Sequence, residues 1–115
     1  DMAVVSRLLA ITPAVIHGAL ICESEGVSLQ QYASMFPEGD RARAVVLSIH
    51  ADEFVDNVSA SVDVAINVAS SIKRQAETMG INSEFPDFVL GLYQRAVTAG
   101  QRHQDTSSLI KVLRN

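Results

Sequence analysis

One cysteine is too few for an internal disulfide, and Cys22 is the only one in the chain. That suits a reducing cytoplasm. Metal-site signals are missing too: His17, His50 and His103 lie far apart and have no partner cysteine at ligand spacing. Basic residues are scarce, nine Lys and Arg against thirteen Asp and Glu, for a net charge of -4. Nucleic-acid binding needs a clustered basic surface. Here Arg41 with Arg43 and Lys73 with Arg74 are the only tight groupings, so no nucleic-acid partner is expected. No G-x-G-x-x-G occurs anywhere, so the chain carries no dinucleotide-binding turn of its own. Period-two alternation with β-branched enrichment is absent, which argues against strands.

Hydrophobic residues make up 48% of the 115 and charged residues 19%, a composition that folds rather than stays disordered. The length allows one domain with one core. The stretch Met2 to Cys22 is apolar on nearly every face, interrupted by Ser6, Arg7, Thr12, Pro13, His17 and Gly18. Arg7, Pro13 and His17 weaken a membrane-spanning reading, although the length would allow one. A helix apolar all round is otherwise buried, and a domain this small can hardly surround it. Its excess surface is expected to be covered by a second chain. Pro13 predicts a kink, because it removes a helical N–H and crowds the Leu9 carbonyl. Helical character begins at Asp1 with no capping residue ahead of it, so the chain reads as cut from something longer.

Punctuation beyond this helix is regular. Gly26 suits a left-handed helix end. Ser28 with Gln31 three residues on is a capping box for a short second helix, stopped by Phe36-Pro37-Glu38-Gly39-Asp40. Asp40 can cap a third helix, about Arg41 to Val55. Ser59 or Ser61 opens a long amphipathic helix with Val62, Ala65, Ile66, Ala69, Ile72, Ala76 and Met79 on one face, and Gly80 ends it. Pro86 sits in the first turn of a fifth helix, and Gly100 caps its end. Asp105 or Thr106 starts a last short helix carrying Leu109, Ile110, Val112 and Leu113. The reading is all-α, about six helices, with a long, kinked first one. Composition and period carry no chemistry.

Three segments carry a resemblance: Gly80-Ile81-Asn82-Ser83-Glu84-Phe85-Pro86, then Leu92 through Gly100 with its Arg95-Ala96-Val97-Thr98-Ala99-Gly100 run, then Asp105 through Leu113. In order and spacing they resemble the C-terminal end of imine reductases and reductive aminases. The opening Asp1-Met2-Ala3-Val4-Val5, His17 and the Glu25-Gly26-Val27-Ser28 turn resemble the long interdomain helix of the same family. Two departures stand out. The acidic loop keeps only its first and last residues in Gly100-Gln101-Arg102-His103-Gln104-Asp105, and Pro13 falls in a helix that is usually uninterrupted.

The resemblance implies a helical bundle like the C-terminal domain of 6-phosphogluconate dehydrogenase, interlocked as a homodimer. It implies a Rossmann domain, absent from this chain, that binds NADPH in the full-length enzyme, so this chain alone is expected to bind none. The substrate would be a small imine or carbonyl compound, and the setting the cytoplasm, without a membrane or nucleic acid. Asp1 falls where the family places an acid that protonates or orients the substrate nitrogen; the hydroxyacid dehydrogenase relatives place a lysine about there. Leu9 matches a position often aromatic in reductive aminases and would be a pocket wall. Asp63 and Asn67 fall near the segment that supplies substrate-pocket residues. The plain structural readings are a first-turn helix carboxylate for Asp1 and a solvated helix face for Asp63 and Asn67. They are a satisfied core residue for His17, inert packing for Cys22, and part-buried ring packing for Tyr32 and Tyr93. A rival to the reductase reading is a helical dimerisation module with no enzymatic role.

Overall fold

Five oxygen-bearing side chains each start a helical segment by accepting hydrogen bonds from amides that the first turn leaves free. In the computed structural model, which describes residues 1–56 and 58–114, Asp1 accepts from Ala3 N at 2.8 Å and opens α1 (Met2–Glu25). Ser28 accepts from the amides of Gln30 and Gln31 and opens α2 (Leu29–Ser34). Asp40 accepts from Ala42 N and opens α3 (Arg41–Ala51). Ser61, rather than Ser59, accepts from Val64 N and opens α4 (Val62–Met79). Asp105 accepts from Ser107 N ahead of a 3-10 turn (Thr106–Leu109) that runs into α6 (Ile110–Leu113). The remaining helix, α5 (Glu84–Thr98), has a different start: Asn82 Oδ1 accepts from Glu84 N at 2.9 Å, with Pro86 buried in the first turn.

One helix start and one helix end correct the sequence reading. The first helix does have a cap, and it is Asp1 itself. The third helix stops at Ala51, four residues short of the expected end, because Asp52 turns left-handed at φ 55. Asp52 and Glu53 donate their amides back to the carbonyls of Ile49 and Ser48, closing the last turn. The chain then delivers Phe54 into the core from outside any helix. At the end of α5, Gly100 takes φ 85 and Gln101 N donates to the Ala96 carbonyl, the Schellman closure.

The helices assemble as two hairpins, α2 with α3 and α4 with α5, with α1 lying across both. The 3-10 turn enters from the C-terminal side and touches α1, α3, α4, α5 and α6. Its Ser107, Ser108 and Leu109, with Ile110 beside them, are fully buried among Ile16, Val46, Val62, Val89 and Tyr93. Buried hydroxyls in an apolar centre need partners. Ser107 Oγ meets Asp105 Oδ2 at 2.6 Å and Ser48 Oγ at 2.8 Å, whereas Ser108 Oγ has no partner among the described residues.

The first helix continues unbroken through Pro13, and among the described residues it alone is long and apolar enough to cross a membrane. In the bundle it buries Leu9, Thr12, Val15, Ile16 and Ala19 and leaves Val4, Leu8 and Ile21 exposed. His17 is exposed, not a core histidine, because it lies opposite the Ile16 and Ala19 side that packs inward. Tyr32 is part-buried and Cys22 half-buried, as packing residues would be, while Tyr93 is fully enclosed.

Candidate functional site

The seam where α1 lies against α4 is hollow along much of its length. Three depressions follow one another down it and share walls. At the N-terminal end, Asp1, Met2 and Ser6 face Gln75, Met79 and Phe85. In the middle, Met2 and Val5 face Val64, Asn67, Val68 and Ser71. At the far end, Val5, Leu8, Leu9 and Thr12 face Val64 and Val68 in a cavity of about 250 Å³, closed by Arg41, Tyr93 and Thr106. Asp1 and Thr12 are about 16 Å apart along the helix axis at the ordinary helical rise.

Three of the four expected site residues lie on this seam, at separate stations. Asp1 is exposed; one carboxylate oxygen holds Ala3 N, which leaves the other free to meet a ligand. Leu9 is buried in the far cavity, so it does not share a hollow with Asp1. Asn67 is exposed on the wall of the middle hollow. Asp63 lines none of the three. It pairs with Arg102 at 3.1 Å, with both side chains over a third exposed, and such pairs contribute about 0–1 kcal/mol.

The polar end of the seam is the part that sequence reasoning missed. Arg41 donates through Nη1 to Ser59 Oγ and through Nη2 to Thr106 Oγ1, each at 2.8 Å. Burial raises the Tyr93 phenol well above its ordinary value; Arg41 pulls it down and Asp105 pushes it further up. It therefore stays protonated at any physiological pH. Asp105 is nearly enclosed, and burial pushes its carboxyl up. Hydrogen bonds from the Ser107 side chain and amide and from the amides of Ser59 and Ala60 outweigh that, and the net direction is down. The sequence offered Arg41 in a basic pair, Tyr93 as packing and Ser59, Asp105 and Thr106 as caps, with nothing to join them into one cluster. Arg41 meets Thr106 across 65 residues, a contact that no local pattern encodes.

Along its whole length, residues 1–115, the chain matches the model of the NADPH-dependent reductive aminase-like C-terminal domain. The chain belongs to that family. Among solved structures it is similar to 3-hydroxyisobutyrate dehydrogenase from Salmonella typhimurium, at 14% identity and TM-score 0.80. That match takes in 95% of this chain and 39% of the dehydrogenase, so the chain spans well under half of that enzyme's length, and the likeness is one of fold. No curated protein sequence matches the chain.

A reductive aminase-like domain raises the question of NADPH. Pyrophosphate is held by a glycine-rich turn between a strand and a helix N-terminus. Among the described residues there is no strand, and no glycine-rich turn opens any of the six helices. The described residues therefore offer no turn of that kind for the pyrophosphate.

Proposed function

We propose that this bundle builds the dimer and the substrate side of an NADPH-dependent oxidoreductase that reduces imines, or related carbonyl compounds, in the cytoplasm. The cofactor would be held by a Rossmann domain outside the bundle. The observation that carries the reading is Asp1 at the open head of an apolar groove, on a helix that matches the reductive aminase-like domain from its first residue.

The chemistry asked of Asp1 is proton handling. Reduction of an imine adds hydride at carbon and requires a proton at nitrogen, so a carboxyl in reach of that nitrogen can donate or orient. With one oxygen tied to Ala3 N, the carboxyl of this exposed residue is fixed in direction and its second oxygen is left for the substrate. Leu9 and Asn67 would shape the seam below it, and the apolar walls would exclude water from the reacting centre. Asp63, held by Arg102, would act from the rim. The exposed apolar residues of α1, Val4 and Leu8 above all, would be covered by a second copy in an interlocked homodimer.

Substitution of Asp1 in the complete enzyme tests this. Asp1→Ala should lower imine turnover by about 100-fold while NADPH affinity stays nearly unchanged. Asp1→Asn keeps the shape and the cap but donates no carboxyl proton, and should fall similarly. Wild-type rates in both variants would reduce Asp1 to a helix cap.

A further inference from the structure

Arg41 closes the far cavity, and among the described residues no carboxylate lies within ion-pairing distance of it. A guanidinium presents five N–H donors in a fixed fork. Two of its nitrogens are seated on the neutral hydroxyls of Ser59 and Thr106, which fix the plane without cancelling the charge. Asp105 is linked to it through Ser59: Ser59 Oγ accepts from Arg41 and donates to Asp105 Oδ1 at 3.2 Å. That carboxylate is itself occupied by the amides of Ser59, Ala60 and Ser107 and the hydroxyls of Ser59 and Ser107. Beside Arg41 stands Tyr93, 1% exposed, which lines the same cavity and carries a phenol O–H. Two donors thus meet at one end of a cavity whose remaining walls are mostly aliphatic.

We infer that this cavity binds an aliphatic carboxylate, with its headgroup on the Arg41 guanidinium and its chain between α1 and α4. One planar cation matches one carboxylate bidentately. A phosphate dianion would leave charge unmatched, since no second cation lines the cavity. The apolar walls call for a hydrocarbon tail, because burying a polar one would leave its groups unsatisfied. This deepens the proposed function by naming a substrate class, an imine or carbonyl compound bearing a carboxylate on an aliphatic chain, since Leu9 is a wall in both.

The test uses ligands with nothing to reduce, so that binding can fail while imine reduction stands, and the reverse. Calorimetric titration of the intact protein with octanoate and with 1-octanol should show octanoate bound at least about tenfold tighter, the preference expected of a charge-assisted pair. Methyl phosphate should not displace it. Arg41→Gln should erase the preference. Val68→Phe, which fills the aliphatic end and leaves Arg41 in place, should weaken octanoate by about tenfold or more, with the helical circular dichroism unchanged. Equal affinity for octanoate and octanol in the wild-type protein would overturn the inference. So would a folded Arg41→Gln that keeps the preference. Should Arg41→Gln fail to fold for want of its bridges to Ser59 and Thr106, Val68→Phe decides: unchanged octanoate affinity there also overturns it.

Discussion

The phenol oxygen of Tyr32 packs over the bare Cα of Gly18, close enough that a β-carbon at position 18 would overlap it. From there it donates to the Val15 carbonyl at 3.4 Å, pinning α2 against the middle of α1. Glycine inside a helix costs about 1 kcal/mol relative to alanine. At this position it is kept because the ring needs the space. Burial of the ring, with Cys22 as a second cause, raises the Tyr32 phenol above its usual value, so it remains a donor.

Gly18→Ala is therefore expected to destabilise the fold even though alanine is the better helix former. Overpacking costs about 1–3 kcal/mol and the propensity gain offsets part of it, for a net loss of about 1–2 kcal/mol. The urea midpoint measures this. In a Tyr32→Phe background, which removes the nearest overlapping atom, the same substitution should cost less. An equal cost in both backgrounds would show that Tyr32 is not the obstacle.

Asp105 ties the loop before α4 to the C-terminal turn, and its charge holds that tie. Its folded-state pKa lies below the ordinary 3.8, so the stabilisation is fully present above that value. It is lost as the pH falls through the depressed folded value. Asp105→Asn replaces one acceptor oxygen with a donor that cannot serve the Ser107 amide, and should cost about 2–3 kcal/mol at neutral pH. Urea titrations from pH 7 down to about pH 3 should show the wild-type advantage over Asp105→Asn shrinking with acid. A constant gap would mean that the carboxylate charge is not what matters.

The open side of α1 is expected to be an interface. Val4 and Leu8, one helical turn apart, are 58% and 48% exposed. Leaving such surface in water forgoes about 25 cal/mol per Å². A homodimer burying more than about 2,000 Å² in total is expected. Val4→Glu together with Leu8→Glu should raise the dimer dissociation constant by about tenfold or more in light scattering. A wild-type monomer at micromolar concentration with an ordinary melting transition would count against the interface.

Helix starts and stops were legible where the chemistry is local. Ser28, Asp40, Gly26 and Gly80 each cap with groups from their own turn. The end of α3 was not legible, because the left-handed residue there is Asp52, not glycine. The choice between Ser59 and Ser61 could not be made locally either: both can cap, and Ser59 is instead engaged by Arg41 and Asp105, 18 and 46 residues away. The same limit hid the polar end of the seam. Asp1, Leu9 and Asn67 were reachable through the resemblance, whereas Arg41, Tyr93 and Thr106 meet only once three distant segments have packed.

The keystone position of the 3-10 turn has a consequence for biosynthesis. Thr106 through Ile110 sit at the middle of the bundle and are made after all five longer helices. Arg41 waits 65 residues for Thr106, and Glu23 waits 91 for Arg114. A nascent chain can wind α1 through α5 and pair them as they emerge, but the middle of the bundle is not filled until this turn has been made. During that interval α1 lacks the part of its core cover that this turn supplies, while its outer face is also bare, and chaperone capture or pairing with a neighbouring nascent chain would have its widest opening then.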